Sequence, residues 1–228
     1  STAGLLHDVR ASLSTLPGVP QSVCCVLSGP SDRAMVSCYA SVGRTSLAPL
    51  RGLSAETPWA CLHLGGYFNC PGLQTDALLE LCAALRARGT LISLDGQHDS
   101  QGLGCAHLRR LLPLLHVLLP NESELLAIAH GALGAANLGD GAAGVARALD
   151  ALADSHPALL IVAKCGAGGG RGARGTQRWS VPACGLGRGL VDATGAGDAF
   201  EAGFLAALLN RPRDVPAALA TTQAVPTG

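Results

Sequence analysis

Residues Asp192-Ala193-Thr194-Gly195-Ala196-Gly197-Asp198-Ala199-Phe200 set two carboxylates, a hydroxyl and two glycines just ahead of the apolar run Gly203-Phe204-Leu205-Ala206-Ala207-Leu208-Leu209. This is the pattern of a glycine turn opening a helix. The first N–H groups of a helix lack intrahelical partners, and the helix dipole adds partial positive charge there, so such a turn is a ready anion site. Gly195 and Gly197 carry no Cβ and let the backbone come close to a ligand. Asp198, on the first helical turn, then stands beside the bound anion as a base, the arrangement that activates a hydroxyl against a phosphoryl group. The plainer alternative is a loop-to-helix junction capped by Thr194 or Asp198. Gly-Ala-Gly alone carries no weight, because Gly166-Ala167-Gly168 repeats it in a chain of 30 glycines; Asp192, Thr194 and Asp198 carry the information.

The segment resembles the C-terminal signature of the ribokinase-like (PfkB-type) carbohydrate kinases, D-x-T-G-A-G-D-x-F, and matches it at every specified position. The resemblance implies ATP as phosphoryl donor, Asp198 as catalytic base and the Gly195-Ala196-Gly197 turn as the anion cradle. It also implies a monovalent cation, potassium, near Asp192 and Thr194; Ala193 departs from the threonine that many relatives have there. Upstream, Pro120-Asn121-Glu122-Ser123-Glu124 follows the apolar run 114–119 and resembles the family's Asn-x-x-Glu motif. By that resemblance, Asn121 and Glu124 help hold magnesium, partly through water, which suits a cation that prefers oxygen ligands and keeps several waters. Read from the residues alone, the same pair is equally a capping box, with Asn121 as N-cap and Glu124 reaching back. The strand end Lys164-Cys165-Gly166 and the following Gly169 correspond to the family's loop along the nucleotide, so Lys164, Gly166 and Gly169 are expected nucleotide contacts.

Composition excludes several other classes. At 228 residues, 48% hydrophobic and 14% charged, the chain can bury one large α/β core. The formal net charge is zero, without the basic block that a nucleic-acid or polybasic membrane partner requires. No apolar run reaches the roughly 18 residues of a transmembrane helix, and the first residues lack a signal peptide's charged start and apolar centre. A cytoplasmic protein is expected, organellar targeting staying open. Nine cysteines, an odd count with no C-x-x-C pair, lie mostly in apolar stretches and are read as reduced, core-packed thiols. The seven histidines show no metal-ligand spacing and are read as surface or packing residues. Lys164 is the only lysine, which, with the Ala, Gly and Leu excess, is attributed to a GC-rich coding bias.

Along the chain, strands and helices alternate. Val/Cys-rich runs at 21–28 and 34–41, parted by Gly29-Pro30-Ser31-Asp32, predict a hairpin over 21–41. Further strands are predicted at 60–64, 90–94, 114–119, 159–164 and 176–181, and helices at 73–88, 103–112, 122–130, 141–154 and 196–209. Continuous apolar strands separated by helices make a doubly wound, mostly parallel α/β sheet flanked by helices, one domain over 1–228, with the hairpin as remnant of a small β lid. In such sheets active residues lie beyond the carboxyl ends of the strands, where Asp95, Asn121, Lys164 to Gly169 and the 192–198 turn all fall. Residues 170–175 formally fit G-x-G-x-x-G, but a strand follows them where a dinucleotide fingerprint needs a helix. They are read as a flexible, Arg-bearing surface hairpin.

Gly18-Val19, residues 32–36, Gly65-Gly66-Tyr67 and Ser93-Leu94-Asp95 fall where the family has its pre-lid junction, lid-like hairpin, strand-end glycines and strand-end aspartate. The family's first strand with its sugar-binding aspartate, and the di-glycine motif ending in asparagine, have no match before Gly18. An N-terminally incomplete kinase is therefore expected. It would take a sugar or nucleoside, leave a homodimer open, bind MgATP at most weakly and transfer to sugars negligibly. The alternative is a catalytically inactive kinase-like binding or regulatory subunit.

Overall fold

A computed structural model describes residues 16–28, 33–48, 50, 58–99, 105–183, 194–211 and 214–222. The first element is the expected antiparallel hairpin, β1 (Val23–Ser28) and β2 (Arg33–Cys38), a two-stranded sheet of its own. Its base is tied by reciprocal serine bonds: Ser41 Oγ accepts from Ser22 N at 2.8 Å, and Ser22 Oγ accepts from Ser41 N at 3.0 Å and Val42 N at 2.9 Å.

The main sheet has six strands in sequence order: β3 (Cys61–Gly65), β4 (Leu91–Asp95), β5 (Val117–Leu118), β6 (Leu160–Lys164), β7 (Gly170–Arg174) and β8 (Gln177–Val181). β3 to β6 are parallel, while β7 and β8 run antiparallel. Parallel neighbours need crossovers, supplied by α1 (Asp76–Ala87) between β3 and β4, α2 (Cys105–Leu111) between β4 and β5, and α3 (Glu122–Leu133) with α4 (Gly141–Ser155) between β5 and β6. After β8 come α5 (Ala196–Asn210) and α6 (Val215–Thr221). None of the helices among the described residues is long and apolar enough to cross a membrane.

Strand side chains alternate between faces, and both faces of this sheet are covered. Ile92, Leu94, Leu118, Ile161 and Ala163 pack with Leu78 and Leu85 of α1, Leu108 of α2, Leu125 and Ile128 of α3, and Leu149 and Leu152 of α4. Val117, Leu119, Leu160 and Val162 pack on the opposite face with Phe204, Leu205 and Leu208 of α5 and Val215 and Leu219 of α6. The alternation also decides where the polar strand residues go. Lys164 shares parity with Leu160 and Val162, and Ser93 and Asp95 share parity with Leu91, which packs on the α5 side. The strand ends therefore turn their charged groups toward α5.

Two expectations need correction. Residues 170–174 are no flexible surface hairpin but strand β7, between β6 and β8, with Gly170, Gly172 and Ala173 buried. Added Cβ atoms would meet Val181 Cγ2 at 3.2 Å from Gly170 and Trp179 Cε3 at 3.2 Å from Gly172, so neighbouring side chains occupy the space these glycines leave. Secondly, the thiols are not uniformly core-packed: Cys70, Cys82 and Cys165 are buried and Cys61 half-buried, but Cys24, Cys25 and Cys38 lie exposed on the hairpin. All seven are free. Cys105 lies on α2 and Cys184 outside the described residues.

Candidate active site

The site forms at the carboxyl ends of β4, β5 and β6, under the first turns of α5. Burying an ammonium demands opposite charge close by, and the only lysine of the chain has it. Lys164 Nζ donates to Glu201 Oε1 and lies 3.5 Å from Asp95 Oδ1. Glu201 Oε2 in turn is 3.4 Å from His63 Nε2, and His63 Nδ1 is 2.9 Å from Ser93 Oγ. Ser93, Asp95 and Glu201 are buried. A continuous polar path thus joins β3, β4, β6 and α5 on the one face where the apolar core gives way.

α5 begins at Gly195, whose left-handed φ of 79° turns the chain into the helix and which has no side chain of its own to cap it. Thr194 precedes the turn and is exposed, and Asp198 sits exposed in the first helical turn. A Cβ on Gly197 would lie 3.9 Å from Lys164 Nζ, so the ammonium stands directly beside the glycine turn. The N-cap position is taken by Gly195, with Thr194 just before it and Asp198 at the third helical position. Asp192 lies outside the described residues.

The Asn121–Glu124 pair adjoins the same place, since Asn121 bridges to Lys164 through the backbone in parallel register. Here the capping box is fully made. Asn121 Oδ1 accepts from Glu124 N at 2.9 Å and from Ser123 Oγ at 2.8 Å; Glu124 Oε2 accepts from Asn121 N at 2.8 Å and Oε1 from Asn121 Nδ2 at 2.6 Å. Both lone pairs of the amide oxygen are therefore used, whereas each carboxylate oxygen keeps spare capacity. A cleft of about 130 Å³ lined by Phe68, Gln97, His98, Ser123 and Glu124 opens beside that carboxylate. A carboxylate with spare oxygen capacity facing an open cleft fits magnesium held through water at Glu124. No group of three or more His, Cys, Asp or Glu among the described residues forms a direct metal cage.

Among the described residues the charges are unbalanced, with Asp95, Glu124 and Glu201 around one ammonium. Burial pushes the Asp95 carboxyl up to about 6, helped by Glu201 and Glu124 and opposed by Lys164 and the Gln97 N–H. Burial likewise pushes Glu124 up, against the pull of the Asn121 N–H and Lys164. Burial would raise Glu201 too, but its bonds from His63 and Lys164 hold it below the ordinary carboxylate value. Burial opposes the charge on Lys164, yet Asp95 and the bond to Glu201 outweigh it and hold its pKa above the ordinary lysine value. The excess negative charge leaves room for a cation.

The structure thus gathers Lys164, Asn121, Glu124 and Gly197. Gly166, exposed at φ 50° with nothing near its Cβ position, lies in the loop after β6, and Gly169 has a backbone reason for its identity. A Cβ there would meet Val181 O at 2.0 Å, so only glycine lets the chain leaving β8 pass. Glu201 and His63 were not among the expected site residues. Glu201 carried a signal nonetheless, since it and Asp198 are the only charges in an otherwise apolar α5.

Solved structures with this architecture include Anopheles gambiae adenosine kinase in complex with a di(adenosine) tetraphosphate, at 21% identity and a TM-score of 0.73 over 91% of this chain and 62% of that one. A putative Escherichia coli ribokinase II in complex with ATP and Mg²⁺ matches at 19% identity and a TM-score of 0.67, over 88% and 62%. Arabidopsis thaliana ribokinase complexed with ribose and ATP matches at 17% and 0.68, over 91% and 62%. The chain thus spans about three fifths of the length of these structures. No curated protein matches it. The sequence model of the pfkB family carbohydrate kinases matches residues 40–225, which takes in the Asn121–Glu124 pair, Lys164 and the Gly195–Asp198 turn alike, and the chain belongs to that family.

Proposed function

We propose that this chain is the nucleotide-binding and catalytic part of an ATP-dependent kinase that phosphorylates a hydroxyl of a sugar or nucleoside. The observation that carries this reading is the glycine start of α5, with the Lys164 ammonium beside Gly197 and the Asp198 carboxylate on the first turn. Phosphoryl transfer asks a protein mainly for positioning and for charge placed where the phosphoryl develops it. The N–H groups of the turn and Lys164 supply the positive side. Asp198 accepts the proton of the acceptor hydroxyl as its oxygen bonds to the γ-phosphorus and the bond to the β-phosphate oxygen breaks. Magnesium, held through water at Glu124 with Asn121 orienting that carboxylate, would neutralise phosphate charge. Potassium beside Asp192 and Thr194 would shape the turn.

The shared fold with adenosine kinase and ribokinase supports this substrate class. The second reading is a catalytically inactive, kinase-like binding or regulatory subunit. Asp198→Asn in the full-length protein separates the two. We expect transfer to fall by about 10²–10⁴-fold, as for removal of a general base, with MgATP affinity nearly unchanged in calorimetry. Equal turnover in the variant would remove the catalytic assignment.

A further inference from the structure

The buried ion path contains a residue that the kinase reading leaves unused. Glu201 is 4% exposed and stands three residues beyond Asp198 on the same helix, among apolar neighbours. A buried ion pair is a poor device for docking a helix, because apolar side chains of similar volume serve as well or better. What an ion pair does give is a fixed charge at a fixed place. A lysine stem has four carbons and many rotamers, and an ammonium free to swing would spread its charge over solvent and cleft. Here one carboxylate oxygen of Glu201 takes the ammonium, while the other is held by His63, itself held by Ser93. Ser93 has no exposed surface, so the far end of the chain is rigid.

We propose that Glu201 is a positioning residue: it clamps the Lys164 ammonium beside Gly197, so that the turn, the cation and Asp198 grip a phosphate chain as one unit. The proposal rests on the kinase reading, and it places Glu201 away from the phosphates, acting only through Lys164. It follows that Glu201 matters for the polyphosphate part of a ligand and not for its nucleoside part.

Two measurements on the full chain test this. Calorimetry with MgATP and with adenosine compares the wild type with Glu201→Gln, which keeps shape and removes charge. Loss of a charge-assisted bond predicts MgATP binding weaker by about tenfold, with adenosine affinity unchanged within about twofold. Partial recovery in Glu201→Asp is expected, because a shorter carboxylate still meets the ammonium. Amine-directed labelling, read at Lys164 by peptide mass, is expected to quicken about tenfold in Glu201→Ala, or in Glu201→Gln should the alanine variant not fold. Unchanged labelling together with unchanged MgATP affinity overturns the proposal, as do equal losses for MgATP and adenosine, which would mark Glu201 as merely structural. If the wild type binds no MgATP, the kinase reading fails; labelling then still decides the clamp, and its absence sinks the clamp as well.

Discussion

Two helix starts meet at one end of this sheet, and they are finished in opposite ways. α3 closes on itself: Asn121 and Glu124 exchange backbone and side-chain bonds that satisfy the N–H groups of Asn121 and Glu124 from within. α5 opens on a left-handed glycine that has no side chain to cap with, a lysine beside it and an acid on its first turn. A helix start with a capping box answers part of its own amides from within, whereas one that starts on glycine beside a cation leaves the backbone open to close approach by an anion. The motif that looks more elaborate is therefore structural in its hydrogen bonds, with metal binding left to its spare carboxylate capacity. The plainer one is where we propose that an anion is received.

The sharpest way to break this contrast is to disturb the open start. Gly195→Val puts a β-branched residue at φ 79°, which strains the turn by about 1–2 kcal/mol and more. MgATP affinity measured by calorimetry should fall by at least about tenfold, with a lowered melting temperature. A variant binding as tightly as the wild type would mean that the anion sits elsewhere. Asn121→Ala attacks the closed start instead. It should lower stability by about 1–2 kcal/mol in denaturant unfolding, the usual effect of losing an N-cap; an unchanged midpoint would deny the capping box its role.

A third prediction sets the cluster's carboxylates against each other by pH. Asp95 has its folded pKa raised from 3.8 to about 6, so its contribution to stability is present below 3.8 and is lost as pH rises through about 6. Asp95→Asn escapes that loss, and its melting temperature relative to wild type should climb between pH 4 and 6. Glu201 has its folded pKa lowered, so its contribution is present above 4.5 and lost as pH falls. The deficit of Glu201→Gln should accordingly shrink on acidification below that value. Parallel behaviour of the two variants would contradict the charge arrangement. The smallest expected effect is that of potassium, whose replacement by a large organic cation should weaken MgATP binding a few-fold at the open start and leave the closed one untouched.

Much of this architecture was legible because the buried strands are apolar runs and the crossover helices carry apolar residues at helical spacing. The run 160–163 announces itself as β6, and the two motifs announce two helix starts. β7 was hidden because Gly170-Arg171-Gly172-Ala173-Arg174 contains nothing that resembles a strand; its burial is supplied by Val181, Trp179 and Phe200 reaching into glycine positions from outside. α6, seven residues with Pro216 in its first turn, was too short to show periodicity. Within the site, Asp198 and the Asn121–Glu124 pair follow from local pattern, but the Lys164–Glu201 pair joins β6 to a helix 37 positions away. No spacing rule spans that distance. Only strand parity, Lys164 falling on the α5 side with Leu160 and Val162, brings it within reach of inference.

The β1–β2 hairpin has a practical consequence for handling the protein. Val23, Leu27, Met35 and Val36 are each 58–64% exposed, on a ribbon that has two strands among the described residues. An apolar two-stranded ribbon is where copies of the chain stack edge to edge as concentration rises. Loss of soluble material should thus begin at this ribbon while the main sheet is still folded. Charged residues at Val36 and Leu27, far from the phosphate end, should extend the working concentration range without altering how the site behaves.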